Sequence, residues 1–285
     1  MKALFKVLLI GAVVFTCFPG SSQAQDVLDG IYVQEHTLER RVISYVYLRE
    51  ADVMWLKRTW RRIDLRQKIN HVMYYPEDPV QGRKSLFAVI SEAILNDGTI
   101  TAYDPGPLGT DDMFTMRMTS EDARRALFSV DTSYTEDIES GELVPVVQEV
   151  KVESRDIKWY DIKEEWFFDR QRSVMEARII GICPMKAKYD EISGEFRGLQ
   201  PLFWIYYPEA RYVFVKSEIF NRNNDVERRT YEDVFWKRQF GSYVIKESNV
   251  YDRSIAEYKT GLDALLEAEQ IKDGIFELEH DLWSF

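Results

Sequence analysis

The sequence predicts an α+β fold with a mainly helical N-terminal half and, in the C-terminal half, an antiparallel sheet carrying two helices. Three observations carry this prediction. Apolar residues recur at helical spacing, with capping signals, through residues 51–127. Four stretches rich in β-branched and aromatic residues, separated by turn residues, follow between 157 and 220. Between them, residues 131–149 hold Asp131, Glu136, Asp137, Glu139, Glu142 and Glu149 with no basic residue, which reads as a solvated acidic connector. The expected organisation is therefore a signal segment at 1–24, a helical region at 25–130, the connector at 131–149 and the sheet region at 150–285.

The N-terminus has the form of a secretory signal. Lys2 and Lys6 precede an apolar run from Val7 to Phe18, and Ser22-Gln23-Ala24 makes a small-x-small cleavage site. Cleavage after Ala24 leaves 261 residues. The apolar run is too short for an anchor, and no later stretch approaches the roughly 20 apolar residues of a transmembrane helix. Cys17 follows Phe15 and Thr16, poor neighbours for a lipidated cysteine. Removal of the signal leaves Cys183 alone, so the fold rests on its core and not on an intramolecular disulfide.

Val53, Leu56, Trp60 and Ile63 share one helical face, predicting a helix from about Ala51. The apolar positions then shift to Leu65, Ile69 and Val72, which predicts a break near Asp64. Asp64 with Gln67 has the form of a capping box for a second helix, and Asn70 closes the motif. The outward faces would carry Lys57, Arg58, Arg61, Arg62, Arg66 and Lys68, and Trp55 and Trp60 join Lys57, Arg61, Arg62, Arg66 and Lys68 as candidate interaction residues. In a chain of net charge -11, such a block suits a docking surface for an acidic partner. A solvated helix face with local pairs such as Asp64 to Lys68 accounts for it equally well.

Further along, Leu86, Phe87, Ile90 and Ile94 mark a helix from Ser85 to Asn96, and Ile100 to Tyr103 a short strand. Thr119 with Asp122 starts another helix. The expected strands are 157–168, 174–189, 199–207 and 211–220, and Phe203, Ile205 and Tyr207 alternate with Trp204 and Tyr206 as in a strand covered on both faces. Thr230 with Asp233 begins a helix, and a longer one is expected from Asp252 to Lys272, with Tyr258, Leu262 and Leu265 inward and Gly274 ending it. The last eleven residues alternate apolar and acidic, which suggests a short strand or packed segment, or alternatively an acidic, aromatic docking tail.

Chemistry is thinly signalled. His36, His71 and His280 lie apart without ligand spacing, and no hydrolase, zinc-protease or phosphate-loop motif occurs. Asp104, Asp111 and Asp112 surround a Pro-Gly-Pro turn and read as turn makers, with neither catalytic nor calcium spacing. Cys183 reads as a buried thiol. No catalytic residue, cofactor or metal is expected, and the chain is read as no enzyme. Residues 25–130 carry net charge -2 and residues 131–285 carry -11, which disfavours nucleic acid as a partner.

The run W-x4-W-R-x-I-D-x-R-x-K-x-N from Trp55 to Asn70 resembles the GldN/PorN family of Bacteroidetes. So do Tyr75-Pro76, Ile100-Thr101-Ala102-Tyr103-Asp104, the segment from Val234 to Phe240, and the segment from Lys246 to Asp252, in the same order along most of the mature chain. The resemblance implies a periplasmic structural subunit of the type IX secretion and gliding-motility machinery. That subunit would form a ring with a GldK/PorK-type outer-membrane lipoprotein and with further copies of itself, and would meet the periplasmic domain of a GldM/PorM-type motor. By that account Arg61, Arg62 and Arg66 would contact acidic neighbours, such as the acidic half of the next copy. A glycan-binding module or carbohydrate-active enzyme using the aromatic and acidic surface is the alternative.

Overall fold

The basic stretch is a strand. In the computed structural model, which describes residues 40–136, 143–190, 194–222, 224 and 226–283, β1 (Val53–Asp64) runs unbroken through the segment expected to be a kinked helix. The N-terminal half is therefore not mainly helical; the molecule is built on a large antiparallel sheet dressed with short helices. The apolar residues of β1 do fit a helical wheel, but its charges each find an opposite charge across the sheet, and pairing with long-range neighbours decides the conformation.

The sheet runs β11 (Tyr243–Glu247), β1, β5 (Ile157–Asp169), β6 (Val174–Tyr189), β8 (Trp204–Tyr206), β2 (Ala102–Tyr103), with β7 (Phe196–Pro201) also on β6, and every pairing is antiparallel. β3 (Phe128–Glu136) and β4 (Leu143–Lys151) form a separate two-stranded ribbon, so residues 131–136 and 143–149, expected to belong to a connector, are paired strands. β9 (Glu218–Ile219) and β10 (Arg229–Thr230) make a small second pair. The expected signal segment, with Cys17, lies outside the described residues, as does Ser140-Gly141 within the expected connector.

One face of the sheet carries the main core. Ile63, Tyr160, Ile162, Ile182, Phe203 and Ile205 pack against α2 (Leu86–Leu95), α3 (Ser120–Leu127), α4 (Tyr207–Phe214) and α5 (Tyr231–Trp236). Each large apolar side chain buried here contributes about 1.5–3 kcal/mol. The helix starts follow the sequence signals. Ser85 and Thr119 accept the backbone N–H groups of Ala88 and Asp122, and Thr230 with Asp233 closes a capping box. Of residues 211–220, expected to be one strand, 211–214 instead continue α4 and only Glu218–Ile219 is a strand; Pro208 stands in the first helical turn, where its missing N–H has no partner to lose.

The C-terminal element also differs from expectation. α6 (Leu262–Trp283) runs through Gly274 and the alternating tail as one helix. Ala268 faces Val244 of β11 and Ile255, with Ala264 and Ile271 beside it, and Ile275 is buried further along the helix. Leu262 and Leu265, expected inward, are 70% and 56% exposed. The local alternation of the tail coexists with a helical repeat through Ile271, Ile275, Leu278 and Leu282, which sets the fold.

On the opposite face of the sheet a second cluster joins Trp60, Tyr103, Cys183, Met185 and Trp204. The loop of residues 104–116 closes it. Phe114, held at φ 56°, meets Tyr103, Trp204 and Tyr206 edge-on at 5.4, 6.1 and 5.9 Å between ring centroids. Gly181 makes room for this ring, since a Cβ there would strike Phe114 and approach the Ile205 carbonyl at 3.2 Å.

Gly181→Ala should therefore lower stability by about 1–3 kcal/mol through overpacking, read as a reduced urea midpoint with an unchanged slope. Burial also pushes the Tyr160, Tyr207 and Tyr231 hydroxyls and the Cys183 thiol above their usual values. In the alkaline range the unfolded chain would release these protons while the folded chain keeps them. Stability should thus be fully present below about pH 8, begin to fall as the unfolded thiol ionises and fall further as pH rises through about 10, measurable by urea melts at stepped pH. A flat profile would contradict this.

Candidate interaction surface

The β1–β5 register places opposite charges directly across the ladder. Arg58 faces Glu165 and Arg62 faces Asp161. Arg58 Nε donates to Glu165 at 2.9 Å, and the Arg62 guanidinium holds both Asp161 oxygens at 2.6 and 2.8 Å. Lys57 reaches the other way, to Glu247 of β11, at 3.1 Å. These side chains lie along the sheet with their stems covered, so much of the basic block is spent on the chain's own acids.

Glu164 lies at the centre of this arrangement. Its side chain is fully buried, and Thr59, opposite in register, donates to it at 3.3 Å. Trp166 Nε1 donates at 2.8 Å and Arg238 Nη2 at 2.8 Å, while Arg61 stands 3.7 Å away and donates to Ser242 Oγ at 2.9 Å. Arg238 adopts φ 51° to reach this position and stacks over Trp166 and Phe240. Burial pulls the Arg61 pKa down, with Glu164 opposing it. For Arg62 burial acts in the same sense, but the Asp161 bonds prevail and raise it.

Trp60 and Lys163 organise the outer face. Lys163 has a side chain 3% exposed, donates to the Asp112 carbonyl at 2.7 Å and carboxylate at 3.0 Å, and lies between the rings of Trp60 and Phe114. Trp60 Nε1 donates to the same carboxylate, and Lys246 covers its ring at 4.6 Å. Burial lowers the Lys163 pKa against the attraction of Asp112. Trp55 is half-buried opposite Phe168.

The turn after β1 departs from the expected capping box. No second helix begins at Asp64, whose oxygens accept the backbone and side-chain N–H groups of Arg66. Burial works against the Asp64 carboxylate, but Arg66 holds its pKa below the usual range. Gln67 leads into a single turn at Lys68–Asn70 and the short α1 (His71–Tyr74). Asn70, fully buried, donates to the Asp64 and Gly241 carbonyls at 2.8 and 2.9 Å and accepts the Gly241 N–H at 2.9 Å. A Cβ on Gly241 would press on Gln67, so the two turns need each other's residue types. Of the expected interaction residues, Arg66 (67% exposed) and Lys68 stand at the surface. Arg66 also lies over Trp159 at 5.0 Å.

Glu164, Asp161, Lys163 and Arg238 were not singled out from the sequence. For Lys163 and Glu164 the signal is the Lys-Glu-Glu run between Ile162 and Trp166, which the register with β1 explains. Asp104 and Asp111 accept the N–H groups of Gly106 and Met113, as turn makers do. Cys183 is fully buried. Among the described residues no group of His, Cys, Asp and Glu is placed to hold a metal ion, and no helix is long and apolar enough to cross a membrane.

Glu164→Ala should destabilise the fold by about 3–5 kcal/mol, because it strands buried arginine charge, whereas Arg66→Ala should change stability by less than about 1 kcal/mol. Urea denaturation of the two variants separates these outcomes. Equal effects would contradict the division between buried brace and surface cation.

The match to known families covers this whole framework. The family model described as gliding motility associated protein GldN spans residues 48–284, from the end of the N-terminal arm through α6. No curated protein matches the chain. With most of its length covered, the chain belongs to the GldN family, and with it to the gliding-motility and type IX secretion machinery.

Proposed function

We propose that this chain is a non-enzymatic, periplasmic structural subunit, which builds a ring with an outer-membrane lipoprotein and with copies of itself and meets the inner-membrane motor. Family membership over residues 48–284 carries the reading. The distribution of side chains is compatible with it. The polar groups around Glu164 and Asp112 are consumed in holding the sheet. A cavity of about 620 Å³ beside α2 and α4 is lined by Lys84 and Glu92, which pair with each other, and by Glu209, which accepts from Thr101. The outward face of α6 presents Leu262, Leu265, Leu266 and Phe276, between 56% and 70% exposed, the texture of a surface that another protein covers.

Within this reading the basic block divides by role. Arg61 and Arg62 brace the sheet, with side chains 11% and 21% exposed, while Arg66 and Lys68 form the part that reaches an acidic neighbour. Arg66→Gln with Lys68→Gln should leave the monomer folded and reduce recovery of the large envelope particle, lipoprotein included, when the tagged protein is extracted gently and sized. Undiminished recovery would remove these two residues from the interface. Extraction of the unaltered protein as a free monomer, without a lipoprotein, would overturn the scaffold reading itself.

A further inference from the structure

Residues 40–48 have no helix or strand pairing, yet they are held closely. Val42, Tyr45 and Leu48 turn inward every third residue while the positions between them are exposed, the three-residue repeat of an extended, polyproline-like segment. The holding groups are side chains of the main body. Tyr45 stacks on Trp236 at 5.3 Å between centroids, and the Arg211 and Arg178 guanidinium groups stand 4.1 and 4.8 Å from its ring. The same arginines read the backbone of the arm, Arg211 donating to the Ile43 carbonyl at 2.7 Å and Arg178 to the Val46 carbonyl at 3.0 Å. Arg40 closes the far end on Asp233, at 2.8 and 3.2 Å.

This is the anatomy of a peptide site occupied by the chain's own peptide. Two of the socket residues are also held by contacts that do not involve the arm. Arg211 is fixed from behind by Glu232 at 2.7 Å, which also accepts from Tyr207, and Arg178 lies over Phe167 at 4.9 Å. The arm joins β1 through the single turn Glu50–Asp52, a natural hinge. It carries Ile43, Val46 and Tyr47 on its outer side, 67%, 54% and 86% exposed, so as it lies here the arm covers the socket but leaves its own apolar side uncovered. The family match begins at Leu48, where the arm ends.

We propose that residues 40–48 are an exchangeable arm, and that Arg178, Arg211 and Trp236 form a socket that takes the Tyr45 segment of a second copy of this chain. A neighbouring copy offers the ligand for which the socket is already shaped, so exchange replaces each contact with an identical one, and the hinge is the only part that must change. The outer apolar side of the arm then becomes available for burial between copies. The proposal rests on the self-association in the scaffold reading but needs no lipoprotein or motor.

The test uses the mature chain carrying Tyr45→Ala, which alters the arm and leaves the socket intact. A fluorescent peptide of residues 38–49 should bind this chain in an anisotropy titration, and the same peptide with Tyr45→Ala should bind at least about tenfold more weakly, as expected for loss of a desolvated cation–π and stacking contact. Mixing the Tyr45→Ala chain with a Trp236→Ala chain should then give a one-to-one pair by native mass spectrometry beyond what either variant forms alone, since only one has an arm and only the other a socket. Failure of the wild-type peptide to bind the folded Tyr45→Ala chain would overturn the socket. Peptide binding without the mixed pair would overturn exchange between copies. Because purified chain alone is used, either failure is distinct from a failure of the scaffold reading, which shows in the envelope extraction.

Discussion

The carboxylate of Glu164 is the point on which the sheet depends. It is buried in β5, and four groups from three parts of the chain surround it: Thr59 and Arg61 from β1, Trp166 from its own strand, and Arg238 from the segment after α5. A buried charge is tolerated only when its hydrogen bonds are complete, so the β1–β5 register and the position of the 238–241 turn are fixed together. A slip of one residue between β1 and β5 would also part Arg58 from Glu165 and Arg62 from Asp161, and would turn one strand's core-facing side chains to the other face of the sheet. Arg58 with Glu165 and Arg62 with Asp161 thus specify register as much as they add stability.

Two further devices tie loops to this frame. On the outer face Lys163 and Trp60 both engage Asp112 and draw the 104–116 loop across the sheet, with Phe114 filling the space that Gly181 leaves. At the end of β1, Asn70 bridges the turn at 64–70 to Gly241. The result is a rigid plate whose charged residues mostly face one another. What remains free of that internal role is peripheral: Arg66 and Lys68 beyond the end of β1, the outward face of α6, and the arm at 40–48. Those are the places where an assembling subunit can meet neighbours without disturbing its own fold.

Several elements were legible in the sequence because their signals are local. Ser85, Thr119 and Thr230 announce helix starts through side chains that bond within three residues, and Ile157 to Asp169 and Val174 to Tyr189 announce strands by composition. The basic block was misread because its meaning is not local. Val53, Leu56, Trp60 and Ile63 satisfy a helical period by accident, while the alternation that marks a strand is hidden when one face carries Thr59 and Arg61 bonded to a buried acid about a hundred residues away. The same holds for the site. Lys57, Arg61 and Arg62 stood out as charge, but whether a cation serves the interior or a partner depends on acids that only the fold brings beside it. In α6 the exposed Leu262 and Leu265 show the reverse error, apolar residues assigned inward by type, while the small side chain of Ala268 takes the side against β11.

The central claim is that β1 is an internal brace and that contacts with neighbours lie outside it. Hydrogen–deuterium exchange, followed by mass spectrometry on the free mature chain and on the chain within the extracted envelope particle, tests this most directly. The account predicts that amides of Trp55 to Ile63 exchange only through global opening in both states, with added protection on assembly confined to the arm, the 66–68 turn and α6. Rapid exchange across β1 in the free chain, with protection gained there on assembly, would contradict it and return the basic block to the interface.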